Sequence, residues 1–193
     1  MSRVIDNAIE KVRQSSFNFL DNGRTIEVLN AVIFWTNFRG EANKFGNSAR
    51  TFNLAVNEET AEYLSDNGWR VREVVGSDEE TKLYFVNIKI NMSSQYPPRI
   101  TLFNDFRGKK NPPITITIDN IGELDRIDIK TADCLINAYS SKTFPDKVTG
   151  YLRKLNIIQE VESEFGGKYD DWLEDEDIWI IQEEGDNNVK SIY

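Results

Sequence analysis

From Thr25 onward the chain is built of short apolar or alternating blocks separated by turn-forming residues, the pattern of strands rather than of long helices. "TIEVLNAVIFWTNF" is rich in β-branched and aromatic residues, and "ARTFNLAV" from Ala49 follows it after the Gly/Asn-rich "RGEANKFGNS", which predicts a hairpin with a large loop. "NEETAEYLSDNGW" predicts one short helix: Asn57 caps it, Glu58 and Glu59 lie in its first turn, and Asn67-Gly68 ends it. The strand theme then resumes in "KLYFVNIKI", "RITLFN", "PITITI" and "RIDIKTADCLI", with "GSDEETK" as a hairpin tip. Alternation puts Ile100 and Leu102 on one face and Arg99, Thr101 and Phe103 on the other, and it groups Ile114, Ile116 and Ile118. "VTGYLRKLNIIQE" reads as a strand or a short helix, and "AIEKVRQSSFNFL" near the start as a short helix or a flexible arm. No internal repeat has a fixed period.

Seven or so strands with one short helix predict a mainly β fold, a small closed or partly open barrel. The expected organisation is an N-terminal arm over residues 1–24, a β domain over 25–159 and an acidic tail over 160–193.

Charge changes the picture because it is segregated. The net charge is −9, yet Met1–Gln159 holds 21 basic against 20 acidic residues, while the stretch from Glu160 holds 2 against 12. A nearly neutral body can carry a basic groove, so the acidic total does not argue against a nucleic-acid partner. The tail also carries "DDWLEDEDIW", carboxylates set around two tryptophans, and reads as disordered. The 39% hydrophobic content is globular in kind. The single cysteine, Cys134, rules out an internal disulfide and reads as a small buried residue among apolar neighbours. With no histidine, imidazole acid–base chemistry, Ser-His-Asp triads and imidazole zinc ligation are excluded. No apolar run approaches the ~20 residues that span a bilayer and the N-terminus lacks a signal-peptide core, so a soluble cytoplasmic protein is expected.

The recurring chemical feature is the interleaving of cations with rings: Trp35, Phe38 and Arg39; Lys44 and Phe45; Arg50; Trp69, Arg70 and Arg72; Lys89; Arg99; Arg107, Lys109 and Lys110 in "FRGKK"; and Tyr151, Arg153 and Lys154. Binding a single strand without regard to sequence calls for this mixture, since a cation neutralises a phosphate while a ring stacks on a splayed base. For rings in strands (Phe34, Phe52, Phe85, Phe103) the plainer reading is core packing. Asp125, Asp128 and Asp133, with Glu123, resemble a magnesium cluster, although a solvent-facing strand residue is the better reading of Asp128. No phosphate-binding glycine loop is present and no cofactor is expected.

Several of these stretches occur together in an order that resembles bacteriophage single-stranded-DNA-binding proteins of the OB-fold type. The matching positions are Phe38 and Gly40, Lys44 and Phe45, Arg50 and Phe52, Gly68 and Trp69, Pro97 to Ile100, and Tyr151 to Lys154. The resemblance runs from about Phe38 to Trp172; the extension before Thr25 and the apolar "IWII" in the tail depart from it. It implies an OB barrel without enzyme activity that coats phage DNA in replication, recombination or repair in the host cytoplasm. It also implies a tail that competes with DNA and then recruits replication partners such as a polymerase, helicase or primase through Trp172, Trp179 and Tyr193. Carboxylates imitating phosphates and an indole imitating a stacked base are the physical basis for such competition. A homo-oligomer is compatible with this reading, and no membrane partner is expected. The alternative is a β-barrel interaction or DNA-mimicking module that acts through its tail.

Overall fold

The computed structural model describes residues 2–42, 46, 48–76, 81–106, 109–110 and 112–159. The chain divides into Met1–Val161 and Glu162–Tyr193, and every described residue lies in the first unit. Along it run α1 (Ser2–Val12), β1 (Ser16–Leu20), β2 (Thr25–Ala31), β3 (Ile33–Asn37), β4 (Thr51–Val56), α2 (Glu58–Asp66), β5 (Val71–Val75), β6 (Lys82–Lys89), β7 (Arg99–Phe106), β8 (Lys109–Lys110), β9 (Ile114–Ile116), β10 (Ile129–Ser140) and β11 (Val148–Gln159). The fold is mainly β, as expected. Hydrogen-bonded ladders connect the strands in the order β1-β2-β10-β11-β6-β4-β3, with β5 beside β6, β7 beside β11, and β8 and β9 outboard of β7.

β11 is the organising strand. Its whole length pairs antiparallel with β10, while its other edge meets β6 at Gly150–Tyr151 and then β7 from Lys154 to Gln159, both parallel. Side chains from most strands converge on one core containing Ile26, Phe38, Phe52, Leu54, Ile88, Ile100, Ile136, Leu155 and Ile157. The sheet wraps around that core without closing: among the described residues no ladder joins β3 back to β1. Of the two barrel forms expected, this is the partly open one.

α2 forms where its signals lie. The Asn57 side chain accepts from the Thr60 N–H at 2.8 Å, and Gly68, at φ +82°, turns the chain beyond the helix end. The segment before Thr25 is not a free arm. Ile5, Ala8, Ile9 and Val12 recur at helical spacing, and α1 lays them on a second cluster made by Phe34, Ala55, Leu83 and Phe85, on the opposite face of the sheet from the main core. Ser15 Oγ donates to the Asn30 carbonyl at 2.7 Å, and β1 pairs with β2 from Ser16 to Leu20.

Two other expectations change. The block from Thr25 breaks at Val32 into β2 and β3, which serve different neighbours, β10 and β4. In "PITITI" only Ile116 is buried, whereas Ile114 and Ile118 are exposed, because β9 is a short marginal strand that reaches the core only where Ile116 pairs with Ile100. Cys134 is buried as expected, and desolvation pushes its thiol pKa up.

Candidate nucleic-acid interface

The outward face of the β5-β6-β11-β7 region gathers side chains from distant parts of the chain. In β6 the even positions Val86 and Ile88 enter the main core, so the odd positions lie on the other face, where Phe85 is buried under α1 and only Asn87 and Lys89 reach the surface. Register then carries this face sideways. Lys89 pairs with Thr51 of β4 and with Tyr151 of β11, and Tyr151 pairs with Asn137 of β10, giving one row across four strands. On one side of that row Arg72 pairs with Phe85, and Arg70, exposed like Arg72, lies in the turn that leads into β5, where the Val71 N–H donates to the Trp69 carbonyl at 3.1 Å. On the other side Lys154 pairs with Arg99, both exposed, and a bulge at Arg153 turns that exposed side chain out as well. Lys89 Nζ stands 5.8 Å from the centroid of the Tyr151 ring.

Among the described residues the ion pairs are Arg39–Glu41, Lys82–Glu73 and Arg126–Glu123, and none involves Arg70, Arg72, Lys89, Arg99, Arg153 or Lys154. Beyond Lys154 and Arg99 the face continues into a depression of about 250 Å³ lined by Phe103, Thr131, Asp133, Asn156 and Ile158.

Trp35 forms the other margin. The β3–β4 register slips between Phe34 and Asn37, and Trp35 takes φ +45°, a left-handed conformation that is strained for a bulky residue. Its indole packs edge-on against Phe34 and Phe85 and stays 42% exposed. Asp125 holds this bulge: its carboxylate accepts from Thr36 Oγ1 at 2.8 Å, the Phe38 N–H at 3.0 Å and the Arg39 N–H at 2.8 Å. Asp133 likewise accepts from the Asn30 N–H at 2.9 Å, Glu123 is paired with Arg126, and Asp128 is exposed. Two of the carboxylates that resemble a metal cluster in sequence therefore brace backbone turns.

Other expected interface residues lie elsewhere. Phe38 is fully buried, because the bulge at Trp35 resets the alternation and turns it into the main core beside Phe52. Trp69 is buried against Gly150, where a Cβ would stand 2.6 Å from the indole, so β11 needs glycine there for the two to meet. Neither ring is open to a base in this conformation. Arg39 bonds the Gly122 carbonyl and Glu41, away from the row. Arg50 packs on Gly40 with its Nε enclosed and unpartnered. Lys44, Phe45, Arg107, the side chains of Lys109 and Lys110, and Trp172, Trp179 and Tyr193 lie outside the described residues.

Sequence reasoning passed over some exposed rings. Tyr139 is 58% exposed and meets Tyr151 edge-on at 6.2 Å, and Phe144 lies exposed at the end of the same hairpin. Tyr96, 83% exposed, lies on the loop that leaves β6 after Lys89 and returns at Arg99. The available signal was an aromatic set among Ser and Pro in "SSQYPP" and "SSKTFPDK".

Among the described residues no helix is long and apolar enough to cross a membrane. The chain is similar over most of its length to two solved structures: the single-stranded DNA-binding protein from bacteriophage Enc34 in a C-terminally truncated form (10% identity, 72% of this chain and 87% of that one, TM-score 0.41), and the same protein in complex with ssDNA (9% identity, 73% and 89%, TM-score 0.39). No curated protein matches the sequence. The model of the family described as "Putative phage ssDNA-binding domain" matches residues 17–192, nearly the whole chain, and the protein belongs to that phage ssDNA-binding family.

Proposed function

We propose that the protein binds single-stranded DNA with little regard to sequence along the outward face of β5, β6, β11 and β7, as a binding rather than a catalytic protein. One observation supports this above the others: Arg70, Arg72, Lys89, Arg99, Arg153 and Lys154 have no carboxylate partner among the described residues and lie together with the partly exposed rings of Trp35 and Tyr151. Unpaired cations lower the free energy of a polyanion brought against them by releasing its counterions, and a ring adds ~1–3 kcal/mol for each base it stacks. A duplex keeps its bases stacked on one another and gains nothing from the rings. The protein then protects strands exposed while phage DNA is copied, recombined or repaired in the host cytoplasm. The segment from Glu160, with twelve carboxylates and Trp172 and Trp179, competes for the same face; DNA displaces it and leaves it to recruit replication proteins.

Titration with oligo-dT and with duplex DNA, on the full chain and on a chain ending at Gln159, tests this. The expected outcome is quenching of tryptophan emission by the single strand, weak duplex binding, tighter binding by the shortened chain, and a log–log salt slope of about −0.7 for each phosphate contacted. Unchanged emission and anisotropy with oligo-dT for both chains at low salt would refute the assignment. Equal affinity of the two chains would remove only the competing tail.

A further inference from the structure

Among the described residues β1, β3, β5, β8 and β9 each take a ladder on one side only. The open side of such a strand presents a row of unpaired N–H and C=O groups, and proteins blunt these rows with charge, proline, a bulge or extreme shortness. Four of the five are blunted. β3 is bulged at Trp35, and just beyond its end Asp125 takes the N–H groups of Phe38 and Arg39. β5 carries Arg72 and Glu73, β8 is two lysines, and β9 is three residues long and follows Pro112 and Pro113. β1 has none of these devices. "SFNFL" contains no charge, glycine or proline, and its pairing with β2 runs through all five residues without a register shift. Outside that ladder, no backbone hydrogen bond among the described residues involves Ser16 to Leu20.

The side chains of β1 are also incompletely covered. Phe17 and Phe19 lean on the main core yet remain half-buried, and the Phe19 ring meets that of the exposed Tyr63 at 4.2 Å between centroids. On the other face Leu20 is 43% exposed, and Leu29, which pairs with Ser16 from β2, is 40% exposed. We propose that the open edge of β1 pairs with the β1 of a second copy of this chain, the two strands running antiparallel about a twofold axis at Asn18. The strand itself favours this occupant, because it is nearly symmetric about Asn18. Phe17 then stands opposite Phe19 of the second copy, and Phe19 opposite its Phe17, giving two cross-strand ring pairs. On the other face one row runs from Leu29 through the small Ser16 to Leu20 of the second copy, so the exposed leucines come to either side of Ser16. No charged side chain of β1 meets its like across the axis, although the chain carries −9. A strand that pairs with itself closes the assembly at two copies and leaves no open edge at β1, so the contact makes a dimer rather than a fibre. A five-residue ladder is a small interface, and the dimer is accordingly weak. β1 lies outside the proposed single-strand face, and the pairing does not depend on that reading.

Sedimentation equilibrium of the full chain from about 1 μM to 1 mM tests this. It is run on the parent, on Ser16→Lys/Leu20→Lys, on Ser16→Glu/Leu20→Glu and on an equimolar mixture of the two variants. The parent is expected to pass from monomer to dimer and no further. Each variant alone sets two like-charge pairs across the axis and should need about tenfold or more higher concentration to dimerise. The mixture sets opposite charges against each other and should regain the parent's dimer. A second measurement does not rely on those variants: Asn18→Cys faces itself at about 4.5–5.5 Å between Cα atoms and should form a disulfide-linked dimer under mild oxidation. Leu20→Cys, displaced from the axis, should not. A parent that stays monomeric throughout, as it would if the edge served a different protein, overturns the proposal. Folded variants that dimerise like the parent would put the contact on another surface, and a mixture that fails to recover, or equal cross-linking at the two cysteine positions, would exclude the pairing about Asn18.

Discussion

The two faces of the same strands use similar residues for opposite purposes. Inward, Phe38, Phe52, Ile88, Leu155 and Ile157 are fully enclosed, and their value is the apolar area removed from water. Outward, Lys89, Tyr151, Lys154 and Arg99 occupy the alternate positions of the same β6, β11 and β7, with no carboxylate paired to the cations among the described residues. Core and proposed contact are therefore separated by parity along β11, β7 and the end of β6, whereas earlier in β6 the outward-parity Leu83 and Phe85 are buried under α1. The lesson is sharpest at β3, where Trp35 and Phe38, three residues apart, fall on different sides: a bulge braced by Asp125 leaves one ring at the outward margin and sends the other to the core.

The largest expected effect is on the inward face. Phe52→Ala should lower unfolding stability by about 3–5 kcal/mol in a urea titration while the folded fraction keeps its oligo-dT affinity. A parallel loss of intrinsic affinity would break the division between the faces. The bulge comes next. Asp125→Ala removes the acceptor of three hydrogen bonds and should cost about 2–3 kcal/mol, with the emission of Trp35 changing because its backbone is no longer held. Should binding be fully retained after that change, Trp35 is not part of the contact. The smallest effect is at Lys89. Lys89→Gln should leave stability within about 0.5 kcal/mol and reduce the log–log salt slope by about 0.7, the change expected when one phosphate is no longer neutralised. An unchanged slope would move the strand off the central row.

Much of the fold was legible from local signals. The strands from Lys82 and Arg99, the helix from Glu58 with its Asn57 cap and the Gly68 turn lie where spacing and capping put them. The β5–β6 hairpin is present, with its tip outside the described residues. At α1 the sequence is compatible with either a helix or an arm, because Ile5, Ala8, Ile9 and Val12 give an amphipathic stripe without saying what it covers, and its partners Phe34, Leu83 and Phe85 come from separate stretches of the chain. The candidate site was legible in kind but not in detail. Interleaved cations and rings pointed to a single-strand binder, yet Phe38 and Trp69 look in sequence like Trp35 and Tyr151, and nothing near them along the chain reports which side of the sheet they face.

What the sequence alone determined is what a few neighbouring residues can encode: strand and turn propensity, a capped helix, the absence of imidazole chemistry, and a carboxylate-rich end set against a neutral body. The membership of the proposed binding face was decided by tertiary pairing. Lys89 meets Tyr151 and Arg99 meets Lys154 through parallel ladders between segments more than fifty residues apart. A side chain's face depends on strand register, and one bulged residue reverses it for everything that follows.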